Sequence, residues 1–141
     1  MHILQPPDWA RPKGYVNGIA ARGTLVSIAG QIGWNADGQF ETDDLIEQIR
    51  QALDNVLMVL AQAGGRPEHI VRMTWYLTDR EAYLSGAREI GRSYRERMRA
   101  PDGSVHYPAM TAVQVVALIE ARAKVEIEAT AVIPDPPAGS A

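Results

Sequence analysis

Two segments near the C-terminus constrain the fold of this chain most strongly. Residues 112–119 are apolar except for Gln114, which suits a strand that is covered on both faces. Residues 123–133 instead alternate apolar positions with Glu126 and Glu128, which predicts a strand that carries both carboxylates on one face. A chain with two such strands is predicted to be built around a sheet.

The rest of the sequence alternates between strand-like and helix-like periodicities. Strands are predicted where apolar and polar residues alternate, and helices where apolar residues recur every three or four positions. The predicted order is β-β-α-β-α-β-β, with strands at residues 15–20, 24–29, 71–77, 112–119 and 123–133 and helices at residues 45–60 and 83–98. Residues 21–23 predict a hairpin between the first two strands, and Thr42 predicts the N-cap of the first helix.

This order predicts an α+β protein with one mixed sheet and two helices packed on one face of that sheet. The opposite face would carry polar side chains, which are Thr74, Tyr76, Glu126, Glu128 and Thr130. These side chains make the face too polar for a dry core. The face is therefore either solvated or a subunit interface that contains mixed side chains and bound water.

Composition excludes several classes of protein. A chain of 141 residues without cysteine predicts a single domain, residues 1–141, that lacks disulfides, thiolate metal sites and cysteine nucleophiles. The net charge of −3 does not favour binding to polyanions. No apolar run reaches the roughly 18 residues of a membrane span, and residues 1–13 lack the apolar segment of a signal peptide. We therefore expect a cytoplasmic protein without a membrane partner, with flexible ends at residues 1–13 and 134–141.

Six short segments form a further pattern. They are Gly14-Tyr15, Ala29-Gly30-Gln31-Ile32, Gln51-Ala52-Leu53-Asp54-Asn55-Val56, Trp75-Tyr76-Leu77-Thr78-Asp79, Tyr107-Pro108-Ala109 and Val125-Glu126-Ile127-Glu128-Ala129. In this order and spacing they resemble the RidA (YjgF) family of small enamine and imine deaminases, and the likeness spans residues 14–132. The resemblance implies a chorismate-mutase-like fold and a homotrimer, in which three sheets form a central barrel and ligand clefts lie between subunits.

The resemblance also implies roles for individual residues. In family deaminases a glutamate on the last strand orients or activates the water that attacks the imine, and its counterpart here is Glu126. A tyrosine near the N-terminus and the main chain of a turn complete the cleft, and their counterparts are Tyr15 and the pair Gly30 and Gln31. The small polar position that follows the family's substrate-binding arginine is retained as Thr111.

Met110 is the main departure from the family pattern. It occupies the position of the arginine that grips the substrate carboxylate, and Ala29 occupies the position of a serine in the turn. Arginine presents a planar fork of donors to a carboxylate, whereas methionine is apolar and adaptable. The substrate could lack a carboxylate at that point, the chain could have lost enamine hydrolysis, or Met110 could simply pack in the core. Another cation could also anchor the substrate; the candidates are Arg11, Lys13, Arg72 and Lys124.

Aromatic residues and one histidine extend the predicted site. Trp34, Trp75 and Tyr107 could form an aromatic wall near Met110. Trp34 lies in a glycine-rich loop, where an exposed tryptophan needs a ligand or a neighbouring subunit as partner, whereas Trp75 alternates as a core residue does. His106 could act as an acid or base, although a lone loop histidine is more often structural. We predict no metal site and no cofactor.

A row of arginines on the second helix raises the question of nucleic acid, because some family members were first described as ribonucleases. The row consists of Arg88, Arg92, Arg95 and Arg99. It is interrupted by Glu89 and Glu96, at spacings that allow ion pairs along a helix. We interpret it as a solvated helix face and expect no nucleic-acid partner.

The leading functional hypothesis is hydrolysis of an enamine or imine metabolite, with release of ammonia, in a cleft between subunits. Glu126 would position the water, while Met110 indicates a substrate different from the small 2-imino acids of arginine-bearing members. The alternative is a non-catalytic protein that binds a small metabolite in the same cleft. An RNA-acting protein is a third and weaker hypothesis.

Overall fold

A computed structural model describes residues 1–139 of the chain; Ser140 and Ala141, which belong to the predicted flexible end, lie outside the described residues. The strands are β1 (His2–Leu4), β2 (Gly18–Ala20), β3 (Thr24–Ile32), β4 (Ile70–Leu77), β5 (Ala109–Gln114) and β6 (Val125–Ile133). The helices are α1 (Leu45–Ala61), α2 (Arg80–Ser85) and α3 (Ala87–Arg97), and a 3-10 turn covers Pro67–His69.

The main sheet has four strands in the order β3-β6-β4-β5. The pairs β3–β6 and β6–β4 are antiparallel and the pair β4–β5 is parallel, so the sheet is mixed. The parallel pair requires a long crossover, which α2 and α3 supply. The α+β class and a mixed sheet with helices packed on it are confirmed.

The predicted hairpin around residues 21–23 is wrong. Strand β2 pairs with β1 in a separate two-stranded sheet, and β3 pairs with β6. Strand β1 lies within residues 1–13, which were predicted to form a flexible end. Strand β1 has only three residues, and Pro6 and Pro7 follow after Gln5, so the segment is too short to show a period.

The first helix begins two residues later than its predicted cap indicates. The N-cap of α1 is Asp44, whose carboxylate accepts a hydrogen bond from the Glu47 amide at 2.9 Å. Thr42 accepts a hydrogen bond from the Asp44 amide at 3.0 Å and so shapes the turn before the helix. A carboxylate at this end also suits the helix dipole.

The predicted second helix is divided at Gly86 into α2 and α3. A Cβ at position 86 would lie 3.0 Å from Ile46 Cδ1 and 3.2 Å from the Ala82 carbonyl oxygen. The glycine therefore allows the chain to pass close to α1. The break changes the direction of the helix and places α3 beside α1.

The prediction of a strand at residues 112–119 that is covered on both faces is wrong. Strand β5 ends at Gln114 and lies at the edge of the sheet, where its residues 111–114 are exposed. Beyond it the apolar run becomes a loop in which Val116 and Ile119 are almost fully exposed. Nothing in the described residues 1–139 covers these side chains.

The two faces of the sheet differ sharply. On β6 the residues Val125, Ile127, Ala129 and Ala131 are buried and alternate with more accessible ones. These buried residues share one core with apolar residues of α1 and α3. The polar residues predicted for the opposite face lie there, in register across β4 and β6, with Thr74 opposite Glu128 and Tyr76 opposite Glu126.

Candidate functional site

The polar face of the sheet carries a depression around Glu126, which we call the glutamate cleft. One part, of about 280 Å³, is lined by Gly30, Gln31, Trp34 and Glu126 together with the loop 118–120. An adjoining part of about 360 Å³ shares Gly30 and Glu126. Four of the predicted site residues are therefore brought together.

The side chain of Glu126 lies against β3 at Gly30, which has no side chain of its own. A Cβ at position 30 would lie 2.8 Å from the carboxyl carbon of Glu126, closer than real side chains approach. Among the described residues, Glu126 forms no side-chain hydrogen bond or ion pair. Its carboxylate is therefore available to a water molecule or a ligand.

Glu128 differs from Glu126 although both lie on the same face of β6. Its carboxylate accepts a hydrogen bond of 2.7 Å from the Tyr76 hydroxyl. This hydrogen bond, with desolvation and the negative charges of both glutamates, raises the pKa of Tyr76 above its usual value. Glu128 is thus engaged within the chain.

Buried amides of α1 hold the loop that forms the glutamate cleft. Asn55 donates hydrogen bonds to the carbonyl oxygens of Ile32, at 3.0 Å, and Trp34, at 2.9 Å. Because these carbonyls lie at the end of β3, the amide fixes the chain directly after Gly30 and Gln31. The support that Asn55 gives to this loop was not predicted, although a polar residue among the apolar positions of α1 is a signal for it.

Gln48 performs a similar task at the start of β6. Its amide donates to the carbonyl oxygens of Thr42 and Arg122, at 3.1 and 3.0 Å, and accepts from the Lys124 amide at 2.9 Å. The side chain is fully buried. It therefore joins α1 to the segment that leads into Glu126.

Trp34 finds part of its contact within the chain. Its ring lies 5.9 Å from that of Phe40, and the Arg122 guanidinium lies 5.5 Å from the centre of the Phe40 ring. Trp34 remains half-buried and lines the glutamate cleft. It does not join Tyr107 in an aromatic wall near Met110.

A second and larger cavity, of about 410 Å³, lies between α3 and the start of β5. We call it the tyrosine pocket, because four tyrosines line it. Its lining residues are Lys13, Gly14, Tyr15, Trp75, Tyr83, Ala87, Ile90, Gly91, Tyr94, Arg95, Tyr107, Met110 and Ala112. Three predicted site residues, Tyr15, Tyr107 and Met110, are therefore brought together here.

Main-chain hydrogen bonds place Tyr15 beside the start of β5. The Val16 amide donates to the Pro108 carbonyl at 3.0 Å, and Val16 forms a parallel bridge with Ala109. The N-terminal segment thereby crosses the mouth of the tyrosine pocket. The same contact brings Lys13 to the rim.

The inner wall of the tyrosine pocket is a stack of aromatic rings. Tyr94 and Tyr107 are parallel within 10° at 5.5 Å, and the Tyr94 hydroxyl donates to the His106 carbonyl at 3.1 Å. Burial raises the pKa of Tyr94, so the phenol stays neutral. His106 Nε2 lies 2.7 Å from the Ile70 carbonyl oxygen, which matches a structural role.

The glutamate cleft and the tyrosine pocket lie on opposite faces of the sheet. Met110 is in register with Met73 on β4, whereas Glu126 is in register with Tyr76. Positions 73 and 76 are an odd number of residues apart, so their side chains point to opposite faces. Within one chain, Met110 therefore does not lie beside Glu126. Thr111 is exposed in register with Thr74 and lines neither site.

In residues 1–139 no three His, Cys, Asp or Glu side chains converge as metal ligands would. None of the helices in the same residues has the length and apolar character that a membrane crossing requires.

The fold and the two sites define a small α+β protein with a free carboxylate on one sheet face and an aromatic pocket on the other. A family model described as "Endoribonuclease L-PSP" matches residues 9–133. A RutC family protein of Aquifex aeolicus is 34% identical over 133 residues, which cover 94% of this chain and 99% of that protein. The chain belongs to the RidA/YjgF family.

Two further similarities extend this result. The 2-iminobutanoate/2-iminopropanoate deaminase of Homo sapiens is 30% identical over 108 residues, which cover 76% of this chain and 72% of that protein. The crystal structure of YyfB from Yersinia pestis, a Rid family protein of unknown function, superposes with a TM-score of 0.78 at 29% identity. That superposition covers 94% of this chain and 98% of YyfB. The family thus includes enamine and imine deaminases.

Proposed function

We propose that the protein hydrolyses an enamine or imine metabolite, with release of ammonia, in a cleft between the subunits of a homotrimer. The free carboxylate of Glu126 beside Gly30 is the observation that carries this proposal. Glu128 on the same strand is engaged with Tyr76, so the two glutamates differ in what they offer to a water molecule. We propose Glu126 as the catalytic residue and Glu128 as a structural one.

The reaction needs only water and a proton acceptor. In the imine tautomer the carbon is electrophilic, and Glu126 would accept a proton from the water whose oxygen attacks that carbon. Return of this proton to nitrogen gives a carbinolamine. Glu126 would then pass the hydroxyl proton of the carbinolamine to the nitrogen, which breaks the carbon–nitrogen bond and leaves a ketone and ammonia. Gly30 and Gln31 would contribute main-chain groups to the cleft, and no cofactor is required.

The position of the two sites supports an arrangement with more than one copy. Because Glu126 and Met110 face opposite sides of the sheet, only a second chain can bring a tyrosine pocket to a glutamate cleft. Val116 and Ile119 are almost fully exposed, and the loop that carries them borders Glu126. Light scattering checks the trimer, and a mass near 15.4 kDa at micromolar concentration would contradict it.

The catalytic test compares the two glutamates. Imino acids generated in place from alanine and from phenylalanine by an amino-acid oxidase are the substrates, and ammonia release is the measurement. Glu126→Gln should lower the rate on the better substrate by roughly 10²-fold or more, the usual contribution of a general base. Glu128→Gln is the matched control and should keep most of the activity. Equal losses in both variants would contradict the role of Glu126.

A second candidate function is non-catalytic binding of a small metabolite. It is favoured by the tyrosine pocket, whose lining among the described residues contains no carboxylate and no imidazole. If the wild-type protein accelerates hydrolysis of neither imine, the binding function is the correct one. Binding to RNA remains the weakest candidate, since Arg92 of the arginine row is paired with Glu89 and the neighbouring Arg97 is paired with Asp54.

A further inference from the structure

The tyrosine pocket has a buried apolar end and a charged mouth. Trp75, Ile90 and Tyr94 are each at most 5% exposed, whereas Lys13 and Arg95 are exposed to solvent. A volume of about 410 Å³ is in the range of pockets that bind small molecules. The pocket can therefore bury one aromatic ring while the rest of a ligand reaches the mouth.

Trp75 adds an aromatic ring at the buried end. It is 2% exposed and lines the pocket, and its indole Nε1 is itself buried without a hydrogen-bond partner among the described residues. The ring of Tyr83 meets that of Trp75 edge-on at 6.4 Å, which leaves an aromatic surface on this side of the pocket.

The two cations at the mouth are free of carboxylates. Neither Lys13 nor Arg95 forms an ion pair in residues 1–139. Two other arginines of α3 do form ion pairs, Arg92 with Glu89 of the same helix and Arg97 with Asp54 of α1. Because the pocket lining contains no acidic residue, the local field favours an anion and opposes a cationic ligand. Arg95 therefore differs from its neighbours in the arginine row.

Gly91 keeps space open below Arg95. It lies inside α3, where glycine is less favourable than alanine, and a Cβ there would lie 3.0 Å from Arg95 Nη1. No other heavy atom lies within 4 Å of that position except the guanidinium carbon of Arg95. The glycine thus lets the guanidinium lie across the helix at the pocket mouth.

We propose that the tyrosine pocket binds a ligand that joins an aromatic ring to a carboxylate, with the ring against Trp75, Tyr83 and Met110 and the carboxylate at Lys13 and Arg95. Met110 contributes apolar surface inside the pocket, and the positive charge lies at the mouth. The step from ligand to substrate rests on the proposed function. With that function, the substrate class is an imino acid or enamine with an aromatic side chain.

Three probes test the ligand class by isothermal titration calorimetry on the full chain. They are 3-phenylpropanoate, its neutral amide, and propanoate, which lacks the ring. Loss of a charge-assisted contact changes affinity by about tenfold or more, so 3-phenylpropanoate should bind at least about tenfold more tightly than either analogue. Equal affinity for the amide would overturn the anion site, and equal affinity for propanoate would overturn the ring site.

Variants test the location. Arg95→Gln should weaken binding of 3-phenylpropanoate by about tenfold, while Arg88→Gln on the same helix is the matched control and should bind as the wild type does. Gly91→Leu should block the probe, and its circular dichroism should show an intact fold. Normal binding by either Arg95→Gln or folded Gly91→Leu would place the ligand elsewhere and overturn the proposal.

The ligand site and the proposed catalysis can be tested separately. Glu126→Gln should bind 3-phenylpropanoate no more weakly than the wild type, because the change removes a negative charge and none of the contacts proposed for the probe. Probe binding without hydrolysis of any imine would contradict the proposed function and leave this site standing. Hydrolysis of the alanine-derived imine that depends on Glu126, without probe binding, would contradict this site and support the proposed function.

Discussion

The glutamate cleft and the tyrosine pocket are built by different means. The cleft is held by fully or nearly buried amides, Gln48 and Asn55, which bind main-chain groups on both sides of Glu126. The pocket is bounded by one face of α3, by the start of β5 and by a short N-terminal segment. The group suited to chemistry therefore has a hydrogen-bonded support, whereas the groups suited to recognition depend on the side chains of α3.

Because of this separation, a substitution in one site need not disturb the other. Met110 lies in the tyrosine pocket on the helix side of the sheet. Glu126, Gly30 and the amides on α1 lie on the other face or around the opposite strand, so a change at position 110 leaves them in place. The proposed recognition and the proposed chemistry can thus vary separately in this fold.

The largest expected effect concerns the support of the glutamate cleft. Gln48→Leu keeps the volume of a fully buried side chain but leaves two carbonyls and one amide without their partner. Each unpaired buried group costs about 1–3 kcal/mol, so we expect the free energy of unfolding to fall by about 3 kcal/mol or more. Urea denaturation at one fixed protein concentration measures it.

The control for this experiment is Gln62→Leu at the exposed end of α1. A surface substitution of this kind should change the free energy of unfolding by no more than about 0.5 kcal/mol. Similar losses in the two variants would show that Gln48 is not a special support. The glutamate cleft would then be no better fixed than the tyrosine pocket.

Met110→Arg should reverse the ligand preference of the tyrosine pocket. The guanidinium would occupy apolar space and offer a donor fork deep in the pocket. We expect binding of 3-phenylpropanoate to weaken by about tenfold and ammonia release from the alanine-derived imine to rise. Calorimetry and the ammonia assay measure the two effects.

Met110→Leu is the control for this reversal, because it conserves volume and polarity. It should retain the wild-type preference for the aromatic probe. A folded Met110→Arg protein with an unchanged preference would show that position 110 does not determine the ligand. It would also weaken the comparison between the two sites, since the pocket would no longer be the variable one.

Gly91→Ala should stabilise the protein. Replacing a glycine inside a helix by alanine typically adds about 0.5–1 kcal/mol, and the only heavy atoms near the new Cβ belong to the flexible Arg95 side chain. Thermal unfolding should therefore shift to a higher temperature. In contrast, Gly30→Ala in the glutamate cleft should lower it, because the new Cβ meets the Glu126 carboxyl group. Identical shifts in the two variants would remove this contrast.

The smallest effect is on the titration of Tyr76. A neutral phenol donates to the Glu128 carboxylate, and loss of the proton would break this bond and place two negative charges together. The pKa of Tyr76 is therefore raised, and Glu128→Gln should lower it towards the usual value. Alkaline titration of tyrosine absorbance measures the shift, and Tyr76→Phe identifies which component belongs to this residue. An unchanged titration in Glu128→Gln would show that the carboxylate is free.

The sequence predicts the core elements best where the signal is local. Strand β6 alternates strictly, and α1 repeats its apolar residues at helical spacing until two glycines end it, so both were correctly predicted. Strand β1 was missed because three residues carry no measurable period. The prediction of a covered strand at residues 112–119 was wrong because an apolar run predicts burial, whereas β5 lies at the edge of the sheet.

The site was predictable only in part for a related reason. The resemblance identified Glu126, Gly30, Tyr15 and Met110, and the structure brings these into two groups on opposite sheet faces. Arg95 was interpreted as one of four equivalent arginines, because spacing along a helix does not reveal which residue faces a cavity. That distinction depends on the break at Gly86, which sets the direction of α3.

The hydrogen bond between the Val16 amide and the Pro108 carbonyl, at 3.0 Å, has a consequence for the order of folding. It joins segments that lie about two thirds of the chain apart, so its formation carries a large loop-closure entropy. The local helices and the β4–β6 pairing reduce that cost only once they exist. We therefore expect the mouth of the tyrosine pocket to close late in folding and to open first in native-state hydrogen exchange. The ligand would then enter through the part of the molecule that is easiest to open.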